Sequence, residues 1–440
     1  FWPGLTMKYG FLFLWPALIA FGLQYVLNTE FARYTAATGE TMITGFARLW
    51  RPWAWVFLAC STLPRLWPGW STGGATALSW VIGGRPDVIS AVSLVLIGAA
   101  LTGTRIVYRA VERIEMVLVA FAIVTVALVA LYTIRAPTLE AFAAGLGRFP
   151  TALPPDLDVA TFLAALAFCG AGGSVNLATS HWARDKGFGM GARVPKVTSP
   201  LTGEKISVSS KGYFFAPTAA NLARWREWWR LIRREQAVTF LLLGMGGLVL
   251  LMLVAHATLH GRDLEIGMGM LAEQGEVIGG TSALRAVFYL AVAAIFFTSA
   301  VGVLDHVARV VADIVKANAP RVRRSKVAWL GESALYFYVL WSIILFALGV
   351  LFVADIRDAP TLLRIAGSLS GVVMFLYSVL VLVLMRRLRN DVDAAEPGFG
   401  RDNPFAMPAW RKVAVLGAVL LYGSFSVLLV VSLVRELGGA

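Results

Sequence analysis

Charge is scarce in this sequence and cysteine is almost absent. Only 15% of its 440 residues are Asp, Glu, Lys or Arg, and only 2 are cysteine. A soluble domain carries about 25% charged residues, so a water-facing surface is excluded for most of the chain. Cys60 and Cys169 both lie in apolar runs, which excludes a disulfide framework or a cysteine-built zinc cluster. Strict polar–apolar alternation is also missing, which excludes a transmembrane barrel. Hydrophobic residues make up 58% of the chain, 15 residues are Trp, and the mean hydropathy is +0.72. The class is an all-α polytopic membrane protein, with Trp suited to interfacial belts.

Runs of about 20 apolar residues mark membrane crossings. Ten are expected, at 11–28, 52–82, 88–104, 113–134, 158–181, 238–258, 284–315, 331–353, 363–385 and 412–434. The second carries Pro64 and Pro68 and is expected to kink. Alternate loops differ sharply in basic residues. The set 29–52, 105–113, 182–237, 309–330 and 386–412 holds 29 of the 39 Lys and Arg. By the positive-inside rule that set is cytoplasmic, in what is expected to be a bacterial inner membrane. Residue 1 and the C-terminus then lie outside, and one more helix is expected before Phe1. The net charge of +13 follows from this bias, with no nucleic acid needed.

The chain reads as one transmembrane domain, 1–440, with a single sizeable cytoplasmic loop at 182–237. The loop ends in ARWREWWRLIRREQ. This is a basic amphipathic helix suited either to the inner leaflet or to packing on the bundle.

The stretch CGAGGSVNLATSH, Cys169 to His181, breaks the fifth run. Glycine costs about 1 kcal/mol relative to alanine in a helix, so Gly170, Gly172 and Gly173 weaken one turn at mid-span. Opened backbone is tolerated at that depth only when it is buried in protein or lines a cavity. Discontinuous helices of this kind form substrate sites in secondary transporters; close packing through small residues is the plainer alternative. Gly170, Ala171, Gly172, Gly173, Ser174, Asn176 and Ser180 are therefore candidate substrate-binding residues.

Ionisable residues inside spans supply gating or coupling candidates. Glu30 and Arg33 are three apart and share a helix face. Asp305 and His306 lie late in a long run, with Asp305, Arg309 and Asp313 at intervals of four. Arg65 falls near mid-membrane and needs an acidic partner, a carbonyl cluster or water; Asp305 and Glu115 are the acidic candidates. His256 and His260 have metal-ligand spacing but no third ligand nearby, so an exposed pair is expected. No metal-ligand set is assigned, no cofactor is expected, and no enzyme-like cluster of His, Asp and Cys faces one leaflet.

Several segments resemble the NRAMP (natural resistance-associated macrophage protein) family. ARYTAATGE at 32–40, with Asn28 before it, is similar to the inner end of that family's second helix. ERIEMVLVAFAIVTVALV at 112–129 resembles its fifth, and SLSGVVMFLYSVLVLV at 368–383 its tenth. CGAGGSVNLATSH resembles its broken sixth helix, with Gly170, Ala171, Asn176 and Leu177 in register. The segment RDKGFGMG at 184–191 resembles a divergent bacterial branch.

The resemblance implies a leucine-transporter-type fold of inverted repeats, the ten spans here corresponding to helices two to eleven. It also implies symport of a divalent metal cation with protons by alternating access. Gly173 stands at the family's metal-ligating Met position and Ser174-Val175 at its Pro-His pair. The Trp67–Ser71 region replaces an acidic pair, and Gly371 and Tyr377 replace two Gln. The soft sulfur ligand is lost, so a harder cation such as Mg²⁺ is expected beside Mn²⁺. The alternatives are an organic-solute (amino-acid) carrier of the same fold, or a non-transporting sensor or scaffold acting through 182–237.

Overall fold

The computed structural model describes residues 1–103, 107–149, 153–170, 172–194, 212–279, 282–318, 332–353 and 358–437. All regular structure in these residues is helical. Eight helices are long and apolar enough to cross a membrane, and they coincide with eight of the ten expected runs. They are α1 (Trp2–Thr38), α5 (Pro86–Gly103), α6 (Val107–Thr133), α10 (Ala219–Leu259), α12 (Ser282–Asn318), α13 (Glu332–Phe352), α14 (Ala359–Ala395) and α15 (Ala409–Leu437).

The other two runs are present as interrupted crossings. The run 52–82 divides into α3 (Pro52–Thr62), a 3-10 turn Leu63–Arg65, and α4 (Gly69–Ile82). Pro64 and Pro68 have no N–H to give a continuous helix, so the break falls between them. The run 158–181 divides into α8 (Val159–Ala167) and α9 (Val175–Lys186), with the glycines between. Shorter helices fill the connections: α2 (Met42–Leu49), α7 (Ala136–Leu146) and α11 (Met268–Ile278).

Packing explains why these pieces stay together. The largest core cluster joins α1, α8, α14 and α15 through Phe13, Phe31, Phe162, Leu166, Tyr377 and Tyr422. Small residues bring α4 against α12. A methyl group on Gly73 would come within 2.6 Å of Phe296, and one on Gly74 within 2.9 Å of Phe297. Without a hydrophobic drive inside lipid, such close contact is what holds crossing helices together.

The amphipathic helix of the 182–237 loop is the first part of α10. It runs without a stop through a π-helical stretch, Ala237–Gly244, into the membrane-crossing part. Trp225 and Ile232 are buried against the bundle, so packing on the protein describes it better than a helix lying in the leaflet.

Candidate functional site

The break between α8 and α9 is built by backbone that only glycine adopts easily. Gly172 and Gly173 have φ of +77° and +55°, left-handed values that cost other residues roughly 1–2 kcal/mol each. Space forbids a side chain as well. A methyl on Gly173 would lie 2.5 Å from Ser370 of α14, and one on Gly172 would lie 2.6 Å from the Phe168 ring. At Gly170 a methyl would meet Phe240 at 2.3 Å. Phe240 comes from the π-helical stretch of α10, a distortion that recurs at functional sites. Ala171 lies outside the described residues.

The two interrupted crossings meet here. Arg65, at the break of α3–α4, is 5% exposed and donates from Nη2 to the Gly172 carbonyl at 2.9 Å. Its Nε and Nη1 have no partner. Neither Asp305 nor Glu115 pairs with it: Asp305 is engaged elsewhere, and Glu115 faces Gly302 on α12. The carbonyl of the opened helix takes the place of the acidic partner.

Around this contact, polar side chains converge from five helices. Asn176 donates to Tyr377 Oη at 2.7 Å and to Gln24 Oε1 at 3.3 Å. Gln24 donates in turn to the Leu166 carbonyl and to Tyr422 Oη. Ser174 meets His306 Nε2 at 3.2 Å. Ser180 is buried but bonds back to the Leu177 carbonyl within its own helix. Beyond Arg65, the partnerless buried atoms include Asn176 Oδ1, His306 Nδ1, Trp70 Nε1, Ser61 Oγ, Thr62 Oγ1 and Asn28 Oδ1. Orphaned groups of this kind are rare and call for a cause.

The charged candidates form two separate clusters in which nearly every charge is matched. Glu30 is ion-paired to both Arg33 and Arg411. Arg411 also donates to Thr29 at 2.9 Å, Arg33 donates to the Ala406 carbonyl at 2.8 Å, and both guanidiniums lie over the Trp229 ring. In the second cluster Arg309 donates from Nε to Asp305 at 2.8 Å and pairs through Nη1 with Asp185. Tyr336 completes Asp305 at 2.9 Å. Asp313 follows two turns further along the same helix. It accepts from Thr41 at 2.6 Å and sits 3.5 Å from His181 Nε2, without a hydrogen bond to that ring, and 3.9 Å from Arg184.

Sequence reasoning missed Arg411, Asp185, Gln24, Tyr422 and Phe240. Each reaches its partner across a large separation in the chain, and none carries a local signal. His256 and His260 stack with ring centroids 4.5 Å apart, and His256 lies on Phe11. Among the described residues no three His, Cys, Asp or Glu converge as a metal site.

Neither a protein-family profile nor a curated protein matches the sequence. Solved structures do. A mutant of the Eremococcus coleocola manganese transporter superposes with a TM-score of 0.65 at 13% identity, over 99% of this chain and 85% of that one. The same transporter in complex with an aromatic bis-isothiourea substituted compound gives 0.65 at 14%, over 100% of this chain and 84% of that one. The chain therefore has the fold of a membrane transporter. It is an integral membrane protein, and the fold expected from the NRAMP resemblance is the one observed.

Proposed function

We propose that this protein is a secondary-active transporter that works by alternating access around the α8–α9 break. The observation that carries this is an opened backbone turn inside an apolar run, beside buried polar groups without partners, in a fold shared over 99% of this chain and 85% of a transporter's. Such openings persist only where they line a cavity or meet a cargo. Among the described residues no group of three His, Cys, Asp or Glu converges to compete with this reading.

For the cargo, the fold shared with a manganese transporter supports a divalent cation of the Mn²⁺ or Mg²⁺ kind, with proton coupling through the Asp305–Arg309–Asp185 cluster as part of the same proposal. The basic-residue bias supports a cytoplasmic 182–237 loop and an outside C-terminus. A specific observation favours a second cargo. Arg65 places an unmatched positive charge at the break, which suits an organic solute with a negative group.

Uptake into liposomes by the full-length protein decides between them. Mn²⁺ or Mg²⁺ uptake that rises with an inward proton gradient supports the metal reading. Uptake of amino acids without divalent uptake supports the organic solute. No flux of either, together with a signalling output lost on deleting 195–211, supports a sensor.

A further inference from the structure

Among the described residues the other buried arginines lie against carboxylates: Arg33 and Arg411 share Glu30, and Arg309 lies between Asp305 and Asp185. Arg65 has a single acceptor, a neutral carbonyl, and no carboxylate partner among the described residues. A guanidinium cannot shed its proton to escape burial, so the missing negative charge must come from something that enters the site.

We infer that Arg65, held on the Gly172 carbonyl at the head of α9, is the docking group for the carboxylate of a small organic solute. This rests on the transporter reading and, within it, on the organic-solute cargo. One bond from Nη2 leaves the rest of the planar fork free, so a bidentate edge remains available for a carboxylate. α9 begins at Val175, three residues after Gly172, and its N-terminal end adds a partial positive charge from its dipole. Other buried polar side-chain atoms without partners are of mixed character. Trp70 Nε1 is a donor; Ser61 and Thr62 hydroxyls serve either way; Asn176 Oδ1 and Asn28 Oδ1 are acceptors. Asn28 lies one helical turn beyond Gln24 on α1, and Gln24 already touches Asn176. A zwitterionic amino acid would meet both signs, with its carboxylate on Arg65 and its ammonium on the amide oxygens. A bare divalent cation would instead meet the guanidinium's repulsion.

The test is calorimetric titration of the detergent-purified full-length protein with a neutral amino acid (L-alanine), a carboxylate lacking the ammonium (propionate), chloride and MnCl₂. The titrations are repeated on Arg65→Gln and Arg65→Lys. The expectation is that L-alanine binds, propionate binds more weakly, and Arg65→Gln weakens both by about 30-fold or more. Arg65→Lys should recover part of that loss. Matched thermal unfolding shows whether a variant is folded, and Arg65→Lys serves if Arg65→Gln is not. The inference is overturned if carboxylates bind both variants as tightly as the wild type. It is also overturned if only chloride or only Mn²⁺ gives heat. A carboxylate that binds through Arg65 but is never carried into liposomes leaves this inference standing and removes the transporter reading instead.

Discussion

Among the described residues, charge is buried in two opposite ways. At Glu30 and at Asp305, each carboxylate is gripped by two donors or more from different helices. At the α8–α9 break, one guanidinium faces a lone carbonyl. The first arrangement fastens helices together, because each ion is worth keeping only while its partners stay in place. The second fastens little and leaves binding capacity unspent. Buried charge alone therefore does not mark a functional site here; the mismatch of charge does.

The sharpest way to break this comparison is to unmatch a matched cluster. Arg309→Ala removes the cation that Asp305 and Asp185 share and leaves both buried, with Arg184 3.5 Å from Asp185. It should lower stability by about 3–5 kcal/mol, read as a large drop in detergent unfolding temperature. A change within 1 kcal/mol, about the worth of a surface pair, would show that water already satisfies the cluster.

The next effect is on the backbone of the break. Gly173→Ala combines a left-handed φ with a methyl 2.5 Å from Ser370, and should cost about 2–3 kcal/mol. Gly246, in the crossing part of α10, has nothing within 4 Å of where its methyl would sit. Gly246→Ala should therefore be neutral or stabilising by up to about 1 kcal/mol. Equal losses at both positions would mean that the Gly173 geometry is not what holds the break open.

A smaller loss is expected at the Glu30 cluster. Arg411→Leu removes one of two cations on Glu30 and one of the guanidiniums over Trp229, while Arg33 remains. The expected cost is about 2 kcal/mol. Adding Trp229→Leu should cost less in the Arg411→Leu background than in the wild type, and additive losses would deny the stacking its part.

Local signals carried the fold a long way. The crossings were legible because apolar runs report depth directly, and both interruptions were legible because proline and glycine fail inside a helix for reasons confined to one turn. The partners of the polar residues were not. Glu30 meets Arg33 within its own helix, and that pair was readable from spacing. Its second cation comes from Arg411, 381 residues away. The pair Asp305 and Arg309 was readable from spacing in the same way, while Asp185 and the Thr41 hydroxyl on Asp313 come from distant parts of the chain. Arg65 was legible as a problem, since a mid-membrane arginine requires a partner, but the choice of a backbone carbonyl depended on how two breaks meet.

Arg65→Leu should have the smallest effect on stability and the most informative one. At the Asp305 cluster, deleting Arg309 strips the shared cation from two carboxylates. At the break, deleting Arg65 strands no charge: the Gly172 carbonyl keeps its bond from Val175 N at 3.1 Å, and what is lost is one bond from a charged donor, about 1.5–3 kcal/mol. Against that stands the relief of burying a guanidinium with no counter-charge. The two terms oppose, so the variant should unfold within about 1 kcal/mol of the wild type, or above it. Adding a ligand separates the states further. A carboxylate solute should raise the wild-type unfolding temperature and leave Arg65→Leu unmoved, since only the native state with its guanidinium binds. If Arg65→Leu instead falls as far as Arg309→Ala, the guanidinium is a structural ion whose partner has been misassigned, and the contrast between the two regions collapses.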